Sequence, residues 1–262
     1  MKLRICCLAD IVGFAAFILV GSFTAVASAQ TPVERGSNLV NSIGACGNCH
    51  GRDASGRKLY TDNTLAGGFV FDEVAPELGH VIAPNITPDK ETGIGKWSEA
   101  DIVVALHNGK RPDGSIIGPP MPIPEYRQLS DQDETAIAAY LLSVKPAKNA
   151  VEKSQYKIPL TEYGPPVTHV DAPSPADKVA YGGYLVTFGH CVVCHTPPGA
   201  DKPINMDLAF AGGRPFPDFA GIGSSISRNI TSDPDQGLGK WTEMPGSSNH
   251  SHEPRTLYIC PF

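Results

Sequence analysis

Four cysteines and two histidines of this chain stand in two identical C-x-x-C-H pentamers. Two thiols one helical turn apart can add across the two vinyl groups at one edge of a porphyrin. The histidine that follows directly is then carried beneath the ring, where its imidazole can bind the iron as proximal ligand. The sequence therefore predicts two covalently bound haems c. The predicted attachment and iron-binding residues are Cys46, Cys49, His50, Cys191, Cys194 and His195.

Three other roles of paired cysteines explain this pattern less well. Two C-x-x-C pairs that share one zinc ion usually lie about 15–20 residues apart, whereas these pentamers begin 145 residues apart, at Cys46 and Cys191. A thioredoxin-like redox site accounts neither for the second pair nor for the repeated histidine. Disulfides are permitted in an exported protein, but a bridge within C-x-x-C is strained and is rarely structural. Haem attachment remains the favoured interpretation.

An internal repeat joins the two pentamers. Three further segments recur with the same spacing of 144 or 145 residues that separates the pentamers. The recurring pairs are Ala66–Gly68 and Ala211–Gly213, Asn85–Asp89 and Asn229–Asp233, and Gly93–Glu99 and Gly237–Glu243. We therefore expect two units, each built around one haem.

The first unit has the pattern of short helices separated by loops rich in glycine and proline. Residues 34–45 predict a helix that leads into the first pentamer. Ser98 predicts the N-cap of a second helix that ends before Gly109, and Ser130 begins a third that continues to residue 144. This order of elements predicts an all-α domain. The remaining histidines lack ligand spacing and are expected at the surface or in loops, namely His80, His107, His169 and His190.

Met121 is a candidate for the second axial ligand of the first haem. It lies between prolines in the loop Gly118-Pro119-Pro120-Met121-Pro122, before the last predicted helix. Haem iron in cytochromes c is commonly bound by one histidine and one methionine. The alternative is a methionine that fills a gap in the apolar core.

A set of motifs in fixed order carries a family resemblance. The motifs are Cys46–His50, Asn85–Asp89, Gly93–Trp97, Arg111–Gly114 and Pro119–Pro122. In this order the chain resembles the cytochrome c subunits of bacterial periplasmic dehydrogenases for alcohols, aldehydes and gluconate, and also the shorter dihaem cytochromes c. The resemblance covers residues 34–243. It implies two tandem class I cytochrome c folds, with His50 as proximal and Met121 as distal ligand in the first.

The second unit departs from this pattern at its C-terminal end. Met121 lies 24 residues after Trp97, and a residue placed equally after Trp241 would be number 265, beyond Phe262. We expect the second domain to be truncated at its C-terminus, and a frameshift or shortened reading frame is one hypothesis for this. Its haem would then have an open sixth position or another ligand. The candidates for that ligand are Met206, Met244, His250 and His252.

The N-terminus has the features of an export signal. Lys2 and Arg4 precede an apolar stretch over residues 11–20, and Ala27-Ser28-Ala29 fits a cleavage site. An uncleaved membrane anchor is the alternative. The expected organisation is a signal peptide at 1–29, a first cytochrome c domain at 30–147, a Pro-rich linker at 148–177 and an incomplete second cytochrome c domain at 178–262.

Composition and motifs together favour an electron carrier. The 262 residues carry a net charge of −6 with no run of Lys or Arg, which argues against a nucleic-acid partner. The resemblance implies a periplasmic protein of the respiratory chain and allows a peripheral association with the membrane. It would pass electrons from a dehydrogenase partner toward quinone or a terminal oxidase and would not itself be an enzyme. The alternative is a haem enzyme, either a dihaem peroxidase or an oxidase of a small sulfur compound, that uses an open position on the second haem.

Overall fold

The computed structural model describes residues 30–54, 64–200, 204–216 and 223–241. The predicted signal peptide lies outside these ranges, as do Met244, His250 and His252. Regular structure within them is mostly helical. The helices are α1 Pro32–Asn41, α2 Gly47–His50, α3 Glu99–Asn108, α4 Ile123–Tyr126, α5 Asp131–Ser143, α6 Lys178–Phe188 and α7 Cys191–His195, with a 3₁₀ turn at Met206–Leu208.

Two small antiparallel ladders qualify the predicted all-α class. They consist of four strands of two residues each, β1 Gly79–His80 paired with β2 Gln155–Tyr156, and β3 Pro215–Phe216 paired with β4 Ser225–Ile226. Neither ladder was predicted, because two residues are too few to show an alternating pattern. The coarse prediction of a mainly helical protein is confirmed.

Side-chain caps define the ends of the main helices. The Ser98 hydroxyl accepts from the backbone N–H of Asp101, whose carboxylate in turn accepts from the N–H of Ser98. Gly109 ends α3 in the left-handed conformation, with φ 61°. The starts predicted at Ser98 and Ser130 are confirmed. The helix predicted over 34–45 is wrong in its limits, because Thr31 caps α1 three residues earlier and the chain turns after Asn41.

Helices α1 and α5 cross closely and hold the main core. A Cβ atom at Gly36 of α1 would lie 1.9 Å from the backbone oxygen of Ala136 in α5, so only glycine permits this approach. The fully buried Val40 and Ala138 pack in the same cluster, which also contains Ile102 of α3.

The Pro-rich stretch over 148–177, predicted as a linker, lies along the first unit. Its strand β2 pairs with β1. Further along, the N–H of Asp131 donates to the Val170 carbonyl over 3.1 Å, and the N–H of Val170 donates back to the Asp131 carboxylate over 2.9 Å. These contacts fix the stretch to the loops and helix starts of the first unit before α6 begins.

Among the helices within the described ranges, none has both the length and the apolar character that a membrane crossing requires.

Candidate haem sites

The first pentamer forms a single helical turn. Ala45 precedes it in the left-handed conformation, with φ 44°, which redirects the chain into α2. The N–H of His50 donates to the Cys46 carbonyl over 2.9 Å. This hydrogen bond closes one helical turn, and that turn carries both thiols and the imidazole. Cys46 and Cys49 are half-buried and form no disulfide. Burial raises the pKa of Cys46 to about 12 and that of Cys49 to about 11, which keeps both sulfurs as thiols.

The imidazole of His50 is held with one nitrogen ready to bind a metal. Its Nδ1 lies 2.8 Å from the Pro84 carbonyl oxygen, and a carbonyl can only accept, so Nδ1 carries the proton and donates. Nε2 therefore keeps its lone pair, the arrangement usual for a metal-binding histidine. Burial lowers the pKa of His50, which favours the neutral ring that iron requires.

Two apolar clusters flank the first pentamer. Cys46 and Met121 pack against the larger one, which contains Leu39 and Val40. Cys49 packs against the smaller one, formed by Phe69, Phe71, Val81 and Ala83. Two thiols, one oriented imidazole and apolar walls fit a covalently bound haem. The structure brings Met121 to the cluster that also contacts Cys46, and its role as distal ligand stays a prediction.

The second pentamer repeats the local geometry of the first. His190 precedes it with φ 43°, close to the 44° of Ala45. His195 Nδ1 lies 2.8 Å from the Arg228 carbonyl oxygen, at the position that corresponds to Pro84. The carbonyl of His195 accepts from the N–H of Gly212 over 2.7 Å, as that of His50 accepts from Gly67 over 2.7 Å. The second histidine is therefore oriented in the same way as the first.

The loop that carries the orienting carbonyl also repeats. Asn85 Oδ1 accepts from the N–H of Thr87 over 2.9 Å, and Asn229 Oδ1 accepts from that of Thr231 over 2.8 Å. The carbonyl of Thr231 then accepts from Leu238, as that of Thr87 does from Ile94. The repeated sequence thus encodes a side-chain-locked turn next to each histidine.

The second site is more open than the first. His195 is partly exposed, whereas His50 is only 7% exposed. Trp241 is 77% exposed, whereas its counterpart Trp97 packs against the core. Met206 is also largely exposed, at 58%. The two free thiols of Cys191 and Cys194 and the oriented imidazole fit a covalently bound haem here as well.

Several contacts around the sites were not predicted. The acceptors at Pro84 and Arg228 are backbone carbonyl groups, so their residue types do not reveal this role. Each residue does stand directly before a repeated Asn-Ile-Thr motif. The expectation of a surface or loop position for His107 is wrong. It is 3% exposed, its Nδ1 lies 2.9 Å from Glu134 Oε2 and its Nε2 lies 2.9 Å from the Leu129 carbonyl. The one feature of the sequence that could have indicated the burial of His107 is its position on the buried face of α3.

Comparison with known proteins places the first unit in a family. Residues 33–145 match the family model described as Cytochrome c. The chain is 33% identical over 240 residues to the alcohol dehydrogenase (quinone), cytochrome c subunit, of Komagataeibacter europaeus, which covers 83% of this chain and 48% of that protein. It is 32% identical over 243 residues to the gluconate 2-dehydrogenase cytochrome c subunit of Pantoea cypripedii, covering 85% and 52%.

A shorter relative is named as a cytochrome and not as a dehydrogenase subunit. The diheme cytochrome c-type protein of Cereibacter sphaeroides is 32% identical over 196 residues, which is 70% of this chain and 64% of that protein. The chain spans about half the length of the dehydrogenase subunits it matches.

Proposed function

Because residues 33–145 form a domain of the cytochrome c family, we propose that the whole chain is an exported electron carrier with two covalently bound haems c. The observation that carries this proposal is the repeated orientation of the histidines, with Nδ1 2.8 Å from a backbone carbonyl at both His50 and His195. An electron carrier needs each iron ligand fixed in one geometry, because the surrounding protein sets the reduction potential.

Each residue of the two sites has a proposed role. Thioether bonds form at the four cysteines of the pentamers, Cys46, Cys49, Cys191 and Cys194. His50 and His195 bind iron through Nε2, since Nδ1 is committed to a carbonyl. Met121 is the distal ligand of the first site, where its thioether favours the reduced iron. Bound haem supplies a metal that cycles between Fe(II) and Fe(III).

The proposed organisation follows the repeat. The first cytochrome c domain spans 30–147, the stretch 148–177 connects it to the second domain at 178–262, and residues 1–29 direct export to the periplasm. The matching hydrogen bonds around Asn85 and Asn229 support two tandem domains.

The proposed partner is the catalytic subunit of a dehydrogenase. This is supported by the names of the relatives, which are cytochrome subunits of alcohol and gluconate dehydrogenases. Electrons would enter from that subunit and leave toward quinone or a terminal oxidase. None of the relatives named above is called a peroxidase or a sulfur-compound oxidase, and the carrier is the function proposed.

This function is tested by two reactions of the matured protein, its reduction by a dehydrogenase and its reaction with peroxide. The matured protein is first reduced by a purified alcohol or gluconate dehydrogenase catalytic subunit with its substrate, and haem absorbance is followed. The reduced protein is then mixed with excess hydrogen peroxide. We expect full reduction by the dehydrogenase and no sustained peroxide consumption. Failure of both dehydrogenases to reduce it, together with continued peroxide turnover, would overturn the carrier and favour the haem enzyme.

A further inference from the structure

Helix α6 docks on the first unit through a buried polar network. Asp133 of α5 has a side chain that is only 4% exposed, and its carboxylate accepts from Arg35 Nε over 2.8 Å and from Arg35 Nη2 over 2.9 Å. The Tyr184 hydroxyl donates to the same carboxylate over 2.6 Å. Arg35 also donates to the Tyr181 hydroxyl over 3.1 Å. These bonds fix α6, and with it the start of the second pentamer, against α1 and α5.

The C-terminal end of α6 enters the apolar core of the first unit. Phe188 is 2% exposed and belongs to the same cluster as Leu39 and Val40. A Cβ atom at Gly44 would lie 2.6 Å from Phe188 Cζ, and one at Gly189 would lie 3.0 Å from Ile43 Cγ1. The residues just before the second pentamer therefore touch the residues just before the first.

Tyr126 lies where the two pentamers approach each other. It is 3% exposed, and its ring centroid lies 5.5 Å from that of Phe188 and 6.5 Å from that of His190. Tyr126 also belongs to the larger apolar cluster, against which Cys46 and Met121 of the first site pack. One aromatic ring thus lies in the cluster that Cys46 packs against and also meets the residues that lead into the second pentamer.

We propose that Tyr126, packed against Phe188, is the bridge through which the two haem sites exchange electrons. The inference rests on the proposed function, since it requires a haem at each pentamer. With a haem bound at each pentamer, one electron would leave Fe(II) at one site and arrive at Fe(III) at the other, so no bond would be made or broken and no proton moved. The ring itself is not oxidised. It replaces an empty gap with closely packed atoms, across which electron tunnelling is faster.

The test compares intramolecular electron transfer in matched variants of the full chain. A fast photochemical donor delivers one electron, and the absorbance of the two haems is followed as they equilibrate. Tyr126→Phe keeps the ring, whereas Tyr126→Leu removes it. Phe188→Leu removes the ring that packs against Tyr126, and it replaces Tyr126→Leu in the comparison if that variant does not fold. Tyr181→Phe is the control, because it removes one docking hydrogen bond and leaves the ring contacts in place.

We expect Tyr126→Phe and Tyr181→Phe to keep the wild-type rate, and Tyr126→Leu and Phe188→Leu each to slow transfer severalfold. An equilibrium redox titration of each variant shows whether the two potentials have moved. The bridge is supported if the rate falls while the potentials stay. It is overturned if both leucine variants keep the rate, or if Tyr126→Phe is as slow as Tyr126→Leu.

Haem content, measured before the kinetics, separates this inference from the proposed function. A wild-type protein with one haem per chain overturns both. A protein with two haems that is reduced by the dehydrogenase but shows no transfer between the haems overturns the bridge alone.

Discussion

Replacing Gly67 by alanine should disturb the first haem site through the carbonyl that orients His50. Gly67 has φ +71°, and a Cβ atom there would lie 2.5 Å from the Pro84 carbonyl oxygen. Real contacts of this kind do not fall below 3.0 Å, so the carbonyl must retreat by at least 0.5 Å, the difference between 3.0 and 2.5. That oxygen is the acceptor of the 2.8 Å bond from His50 Nδ1.

The expected destabilisation has two parts. A non-glycine residue in the left-handed conformation costs about 1–2 kcal/mol, and the forced displacement of packed atoms costs about 1–3 kcal/mol more. Gly114→Ala is the matched control, because Gly114 has φ +82° but nothing lies within 4 Å of its added Cβ. Gly114→Ala should show only the cost of the left-handed conformation. The difference between the two variants isolates the contact with Pro84.

The assay is equilibrium unfolding by denaturant, with a redox titration of both haems. Gly67→Ala should lower the free energy of unfolding by about 1–3 kcal/mol more than Gly114→Ala, and it should shift the potential of the first haem only. Gly212→Ala, with φ +74° and Arg228 C 2.5 Å from its Cβ, should shift the potential of the second haem only. Equal losses for Gly67→Ala and Gly114→Ala, with both potentials unmoved, would refute this reasoning.

Three other predictions concern charge and ligation. Asp133→Asn should cost about 2–4 kcal/mol in denaturant unfolding, because it weakens a buried carboxylate that accepts three hydrogen bonds. Glu91→Gln, in an exposed ion pair, should cost less than about 1 kcal/mol, and equal costs would contradict the burial argument. Burial lowers the pKa of His107, but its contacts with Glu134 and a carbonyl outweigh this and raise it above 6.5, while burial raises the pKa of Glu134 from 4.5 to about 7. Both raised values mean that the folded state holds the pair's protons more tightly, so stability falls as pH rises from 4.5 through the folded pKa values. Unfolding free energies of wild type and Glu134→Gln against pH should therefore differ in slope, and parallel curves would count against the pair. Met121→Leu should lower the potential of the first haem in a redox titration and leave the second unchanged, whereas an unmoved first potential would remove Met121 as its ligand.

The sequence predicted the features that depend on neighbouring residues. The C-x-x-C-H spacing is local, and both pentamers form one helical turn with the histidine oriented. The caps at Ser98 and Ser130 were found for the same reason, since each hydroxyl bonds to an N–H three residues ahead. The repeat also predicted which parts of the second unit resemble the first.

Contacts between distant parts of the chain were beyond the reach of the sequence. The stretch 148–177 shows no pattern that predicts its lying along the first unit, because its contacts use backbone groups and single polar side chains such as Asn149. His107 was misjudged because its partner Glu134 comes from another helix. Tyr126 gave no signal, since its neighbours Phe188 and His190 are more than 60 residues away.

The number of haems attached per chain tests the central claim most directly. Intact-mass measurement of protein matured in a c-type cytochrome maturation system gives this number, and paired cysteine variants assign each haem to its pentamer. We expect two haems in the wild type, one in Cys46→Ser with Cys49→Ser, and one in Cys191→Ser with Cys194→Ser. A wild-type protein with a single haem, unaffected by the Cys191 and Cys194 substitutions, would contradict the claim that the second pentamer is a haem site.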